Sequence, residues 1–310
     1  MELCNKGQFI KDLRKKKGWS QQQLSEGICS HVTLSRLERG DLHEISYYHF
    51  STLLEKLDAN VDDQNIFFMG NVDYKIYEQR KKIEYLIYTR NYQTAKDLVE
   101  ELEQDDYFKN DLQLQYLLSC KMSIELSTHK KELSQHKFNE IIEVFIQAIK
   151  LSKRQFKIDD PIYSPLSHEE MRIINQMAIA HHAVGDTKQA IIITNNLVQS
   201  SNKNCENHIE KIQIHIKALY NLSKYLGLQG KIEESLENCE KGIEICRKSR
   251  QLDTLPYLLY NKAFAIKELG NVSDSKPYLL QSYYSFLAKG DDEVAEQVKL
   301  EAKKEFGYEL

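Results

Sequence analysis

Three stretches of this chain align on a single glycine, and that alignment dictates the architecture. They are RIINQMAIAHHAVGDTKQAIIITNNLVQS, ALYNLSKYLGLQGKIEESLENCEKGIEIC and LLYNKAFAIKELGNVSDSKPYLLQSYY, with Gly185, Gly230 and Gly270 falling 45 and 40 residues apart. A fourth stretch, EYLIYTRNYQTAKDLVEEL, carries Arg90 where the glycine would stand. Each reads as helix, turn, helix. A pair that short cannot bury its apolar face alone and must stack on its neighbours. The pairs Ile83/Ala95, Ala178/Ala190, Ser223/Ser235 and Ala263/Ser275 recur with the same spacing of twelve. They are mostly small, which lets two helices approach closely where they cross.

This spacing is similar to the interior pattern of tetratricopeptide (TPR) repeats, although the periods exceed the usual ~34 residues. The fold class expected is all-α, with a TPR-like α-solenoid; HEAT-like helix pairs are the nearest alternative. Composition agrees. The chain of 310 residues is 41% apolar and 28% charged, enough for a core and too apolar for disorder. Four prolines and 12 glycines are too few for the many tight turns of a β-sandwich or barrel. Residues 126–137 (LSTHKKELSQHK) and the PIYSPLS loop fit no repeat.

The first sixty residues follow another pattern. Ile10 to Lys17 reads as a short helix with a basic end, closed by Gly18. Ser20 caps a second helix, Gln21 to Glu26, with Gln23 completing a capping box. Ser30 caps a third helix that runs through Glu38 and ends at Arg39-Gly40. A fourth runs from about Ser46 to Leu57, with Phe50, Leu53, Leu54 and Leu57 as its apolar stripe. Two short helices joined by a glycine turn are the geometry that sets one helix in a DNA major groove. Residues 1–40 hold eight Lys/Arg against four acids, while the whole chain is −4, leaving −8 on residues 41–310. A basic head on an acidic body confines polyanion contact to the head.

GWSQQQLSEGICSHVTLSRLERG resembles the Cro/C1-type (XRE) helix-turn-helix, in which Ser-Gln opens the second helix and Ser-Arg-x-Glu-x-Gly closes the third. The resemblance implies that Gln21 bonds a phosphate and that His31, Thr33 and Arg36 face base edges. Arg36 suits a bidentate guanine contact, and Val32 a thymine methyl. Ser35 and Arg39 would touch phosphates, and Glu38 would tie the third helix to a basic partner. Asp41-Leu42-His43-Glu44 departs from that pattern, lacking the proline and the basic residue common after that glycine. The domains expected are a helix-turn-helix over 1–60, a linker over 61–72, and a peptide-binding and dimerisation solenoid over 73–310.

In such a solenoid the first helix of each pair lines a concave face. Counting back from each turn selects Arg172, Asn175, Gln176, Ile179 and His182, then Lys217, Tyr220, Asn221 and Lys224, then Tyr257, Tyr260, Asn261 and Phe264. The Tyr-Asn pairs 220–221 and 260–261 occupy one repeat position. An asparagine amide donates to a carbonyl and accepts from an N–H of the same extended strand, which suits a peptide backbone. The same amide equally suits a bridge between neighbouring helices. The tyrosines and Phe264 offer apolar area, and Arg172, Lys217 and Lys224 would meet carboxylates.

Head and body together resemble the PlcR and Rgg-type (RRNPP) peptide-pheromone regulators of Gram-positive bacteria. QLSEGICSHVTLSRLERG carries the likeness in the head and KALYNLSKYLGLQGKIEESLENCEKGIEIC in the body. The resemblance implies a quorum-sensing transcriptional regulator: a homodimer reading two half-sites of a double-stranded DNA operator, with a short signalling peptide in each concave face. Peptide binding would shift the spacing or order of the heads. The alternative is a phage-type or housekeeping repressor whose solenoid binds a protein.

An enzyme is not expected. His181 and His182 point about 100° apart on a helix, His208 and His215 are seven residues apart, and HExxH, GxSxG, Walker A and GxGxxG motifs are absent. No metal or other cofactor is expected. Six cysteines without a CxxC read as scattered core thiols, Cys239 and Cys246 among them. Without a transmembrane run or a secretory leader, a cytoplasmic protein free of the membrane is expected.

Overall fold

The computed structural model describes residues 6–42, 45–59, 71–129, 133–202 and 205–309. The expected linker over 61–72 lies outside them apart from its last two residues, as do His43 and Glu44 of the loop after Gly40. Among the described residues the chain is all-helical, with no strand.

The head comprises α1 (Lys6–Lys16), α2 (Gln21–Ser25), α3 (His31–Arg39) and α4 (Tyr47–Lys56). Its helix starts follow from hydroxyl caps. Ser20 Oγ accepts from the Gln23 N–H while Gln23 reaches back to the Ser20 N–H, and Ser30 and Ser46 cap α3 and α4. α3 stops at Gly40, which takes the left-handed conformation at φ 82°. Ile10, Leu24, Leu34 and Leu53 are fully buried in one core, each contributing about 1.5–3 kcal/mol. Beside it the Arg14 guanidinium pairs with both oxygens of Glu38, at 2.6 and 2.7 Å, and donates to Trp19 O. Arg14 is thus the basic partner that Glu38 calls for.

The body stacks antiparallel pairs: α5 (Asn71–Tyr88) with α6 (Tyr92–Leu102), α7 (Asp111–His129) with α8 (Gln135–Ser152), and α9 (His168–Ala183) with α10 (Thr187–Ser201). Then come α11 (Ile209–Leu228) with α12 (Ile232–Ser249), α13 (Leu255–Glu268) with α14 (Val272–Lys289), and a final α15 (Asp292–Phe306). The α7–α8 pair corrects the reading of residues 126–137 as foreign to the repeat. Residues 126–129 end one helix and 135–137 start the next, hidden from a glycine-based alignment because no glycine stands between them. The twelve-residue pairs do lie where helices cross. All eight residues are at most 3% exposed, and Ser235 Oγ donates to Ser223 O at 2.7 Å. Gly185, Gly230 and Gly270 turn the chain at φ 90°, 74° and 88°, and Arg90 takes the same slot at φ 59°.

Head and body are in close contact. Gly27 (φ 72°) packs so tightly that a Cβ there would come within 2.2 Å of Ser152 O. The fully buried Lys56 Nζ donates to Glu26 O at 2.6 Å and lies 3.5 Å from Glu170 Oε1. Desolvation pulls the Lys56 ammonium down to about 8 despite Glu170. Lys153 ties the same corner together, reaching Glu26 Oε2, Ser164 Oγ and Pro165 O.

Candidate functional site

α3 exposes a polar face because its apolar residues share the opposite one. Leu34 and Leu37 are buried, while His31, Val32, Arg36 and Arg39 are exposed and Thr33 and Ser35 are half-buried. The Arg36 side chain has no hydrogen bond or ion pair among the described residues, so its fork of donors is free for a partner. Arg39 Nε donates to Asp41 and its Nη1 to Ser35 Oγ, which places both residues at the rim of that face. Thr33 shares a 2.8 Å hydroxyl contact with Ser30. Gln21 departs from expectation: its Nε2 donates to Glu38 Oε2 at 2.8 Å, so the side chain is held in the Arg14–Glu38 network rather than offered to a phosphate. The reason is tertiary, since α1 brings Arg14 to Glu38 and leaves one carboxylate lone pair beside α2. His31 also borders a cleft of about 820 Å³ shared with Asn110, Asp111 and Arg154 of the body.

The first helices of the pairs line two chambers that share α11 as a wall and together make up the hollow. The chamber far from the head, about 810 Å³, is walled by α11, α13 and α15, with Ile232 and Ser235 of α12 and Phe286 of α14. Tyr220, Lys224, Tyr257, Tyr260, Asn261 and Phe264 all line it. Its aromatic rings pack in series: Tyr220–Tyr257 at 5.5 Å, Tyr260–Phe264 at 4.8 Å and Phe264–Phe306 at 4.8 Å between centroids. Burial raises the Tyr220 hydroxyl to about 12, so it stays a donor at every physiological pH.

The chamber beside the head, about 610 Å³, is walled by α4, α5, α7, α9 and α11 and holds Arg80, Arg172 and Lys217. Arg80 lies over the Tyr116 ring at 3.8 Å and near Tyr48 at 5.0 Å, with no carboxylate in ion-pair reach among the described residues. Arg172 Nη2 donates to Glu169 Oε1 at 2.8 Å, while Arg172 Nε and the Tyr48 hydroxyl are buried without a hydrogen-bond partner. Glu55, Glu84, Glu169 and Glu210 line the chamber as well, and Lys81 and Arg172 pair with Glu84 and Glu169, which leaves Arg80 and Lys217 as its cations without a carboxylate partner among the described residues.

The asparagines are placed differently from the expected peptide contacts. Asn221 and Asn175 are both buried, and Asn221 Nδ2 donates to Asn175 Oδ1 at 3.0 Å. Asn261 Nδ2 donates to Ser223 Oγ at 2.9 Å while its side chain still edges the far chamber. These amides bridge helices, the second of the two uses weighed from sequence. His182 turns to Thr187 Oγ1 and packs on Tyr225, and Gln176 and Ile179 are half-buried; none of the three borders either chamber. Sequence reasoning missed Arg80 and Tyr116. For Arg80 the signal was present, since it stands ten residues before Arg90, as Tyr220 and Tyr260 stand ten before Gly230 and Gly270. Tyr116 lies in the pair with no glycine to count from.

A helix-turn-helix head joined to a helical-repeat body with a lined hollow defines a class of DNA-binding regulator. Residues 10–64 match the helix-turn-helix family model, and residues 80–307 match that of the RNPP family C-terminal domain. The chain belongs to the RNPP family. It shares its fold with PlcR of Bacillus thuringiensis, solved in complex with a peptide and DNA, at 19% identity over 95% of this chain and 98% of that one (TM-score 0.61). The apo form of PlcR aligns at 16% identity over 94% and 97% of the two chains (TM-score 0.60). The apo competence regulator ComR of Streptococcus vestibularis aligns at 16% identity over 97% of each (TM-score 0.53). No curated protein sequence matches the chain.

Proposed function

We propose that the chain is a sequence-specific transcriptional regulator whose α3 reads a DNA operator and whose hollow takes a short signalling peptide. The observation that carries this is the two-chamber hollow. An aromatic chamber and one that holds Arg80 and Lys217 without a carboxylate partner among the described residues share α11 as a wall. An extended guest would set apolar side chains among Tyr257, Tyr260 and Phe264, and a carboxylate, from its C-terminus or an acidic residue, beside Arg80, Arg172 and Lys217.

On the head, Arg36 takes a base edge, with His31, Val32 and Thr33 beside it. Ser35 and Arg39 take phosphates. The division is a reading head over 1–60, a linker over 61–72 and a sensing body over 73–310. The chain acts as a homodimer on paired half-sites in the cytoplasm, and it binds rather than catalyses. PlcR, which shares the fold, was solved holding both ligands, and this supports the same pairing here.

Native mass spectrometry of the protein purified from its own cells tests the proposal. A co-purifying peptide of roughly five to ten residues with an apolar segment is expected. A stoichiometric folded protein in its place would overturn the peptide reading in favour of a protein-sensing repressor.

A further inference from the structure

α11 starts without a cap of its own. Its N-cap residue, His208, makes no side-chain bond to the first turn. The three residues that lead into it are held instead from as far as 150 residues away, by Asp58 at the end of the head. Asp58 Oδ2 accepts from the backbone N–H of Glu206 at 3.0 Å and of Asn207 at 3.2 Å, and Oδ1 accepts from the N–H of His208 at 3.2 Å. Asn207 Nδ2 adds a fourth donor at 3.2 Å. Asp58 is 4% exposed and sits in the left-handed region at φ 58°, a strained conformation for a residue with a Cβ that its partners hold in place.

The bonds around it run the same way. Lys211, in the first turn of α11, donates to Glu55 O at 2.9 Å, and the Glu55 carboxylate meets His168 Nδ1 of α9 at 2.8 Å. α11 then continues to Lys217 in the near chamber and to Tyr220 and Lys224 in the far one. One rigid helix thus carries the head's carboxylate at its start and the walls of both chambers along its length.

We infer that Asp58 is a positioning residue that grips the entry to α11 and so docks the DNA-reading head onto the helix lining the hollow. A negative charge at the helix N-terminus also complements the helix dipole, so the dock is electrostatic as well as geometric. A displacement of α11 then carries the head's anchor with it. This consequence rests on the proposed peptide reading; the dock itself does not.

Hydrogen–deuterium exchange on full-length Asp58→Ala and Asp58→Asn, without any peptide or DNA, tests the dock. In Asp58→Ala the amides of 206–208 and the end of α4 are expected to exchange roughly tenfold faster, while α1, α3 and the α8–α9 core keep their protection. Asp58→Asn, which keeps one acceptor, should fall between Asp58→Ala and the native protein. Zero-length carbodiimide coupling of Glu26 to Lys153, 3.3 Å apart across the same joint, should drop several-fold in Asp58→Ala. Unchanged exchange at 206–208 would overturn the inference. So would acceleration spread evenly through head and body, which marks a loss of global stability rather than undocking. No ligand enters the experiment, so its failure would leave the peptide reading standing, and a missing peptide would leave the dock standing.

Discussion

Asn221 donates to Asn175 across the contact of α11 with α9, and the two buried amides satisfy each other at 3.0 Å. Asn221→Ala strands the Asn175 carbonyl and is expected to lower stability by about 1–3 kcal/mol in urea denaturation. Asn175→Ala should match it, and the double variant should cost less than the sum.

Arg36 stands free on the exposed face of α3. Arg36→Ala is expected to lose about 1–3 kcal/mol of operator affinity, with relaxed preference at one base pair and an unchanged melting temperature. Fluorescence anisotropy on an operator recovered by in vitro selection measures this. For the native protein, log affinity should fall linearly with log salt, and a flat dependence would contradict a phosphate-anchored head.

The aromatic chamber should hold most of a guest's apolar contact. Phe264→Ala and Tyr257→Ala are each expected to weaken the co-purifying peptide by about 1–3 kcal/mol by calorimetry, leaving DNA affinity without peptide unchanged. Arg80→Met is expected to weaken a free-acid peptide more than its C-terminal amide if the terminal carboxylate occupies the near chamber. Equal losses would move the peptide's acidic group to a side chain.

Burial pulls His215 down to about 4, with Nδ1 2.6 Å from Ser201 Oγ. Unfolded, the ring titrates near 6.5, so between these values the unfolded chain holds the extra proton. Stability contributed by this site therefore falls as pH drops from 6.5 to about 4, by up to about 3 kcal/mol. His168 works in the opposite sense. Its own burial is outweighed by Glu55, which raises it, so its contribution is complete below 6.5 and is lost as pH climbs through that raised value. Urea midpoints from pH 4 to 8 should show the acid loss reduced in His215→Gln, and the alkaline loss reduced in His168→Gln.

Arg90 holds the left-handed slot that Gly185, Gly230 and Gly270 fill in the other pairs. Arg90→Gly removes about 1–2 kcal/mol of strain against about 0.5–1 kcal/mol of added chain entropy in the unfolded state. A rise of about 1 kcal/mol or less in stability is expected by denaturation, and a fall would show that the Arg90 side chain packs in a stabilising way.

Much of this protein is written locally. Ser20, Ser30 and Ser46 set helix starts, and Gly40, Gly185, Gly230 and Gly270 set turns, because caps and left-handed residues act within a few positions of themselves. The twelve-residue pairs told where helices cross, since a close crossing excludes large side chains whatever surrounds it. The exposed face of α3 followed from the spacing of Leu34 and Leu37. The α7–α8 pair was illegible because its turn carries no glycine, and with it went Tyr116.

The partners of the polar side chains that bond across helices were decided by tertiary structure alone. Gln21 faces Glu38 because α1 delivers Arg14 there, and Asn221 meets Asn175 because α9 and α11 lie against each other. Asp58 holds the entry to a helix 150 residues away. Periodicity fixes which way a side chain leaves its own helix, whereas a hydrogen bond needs its second partner within about 3 Å. Only the packed chain supplies that.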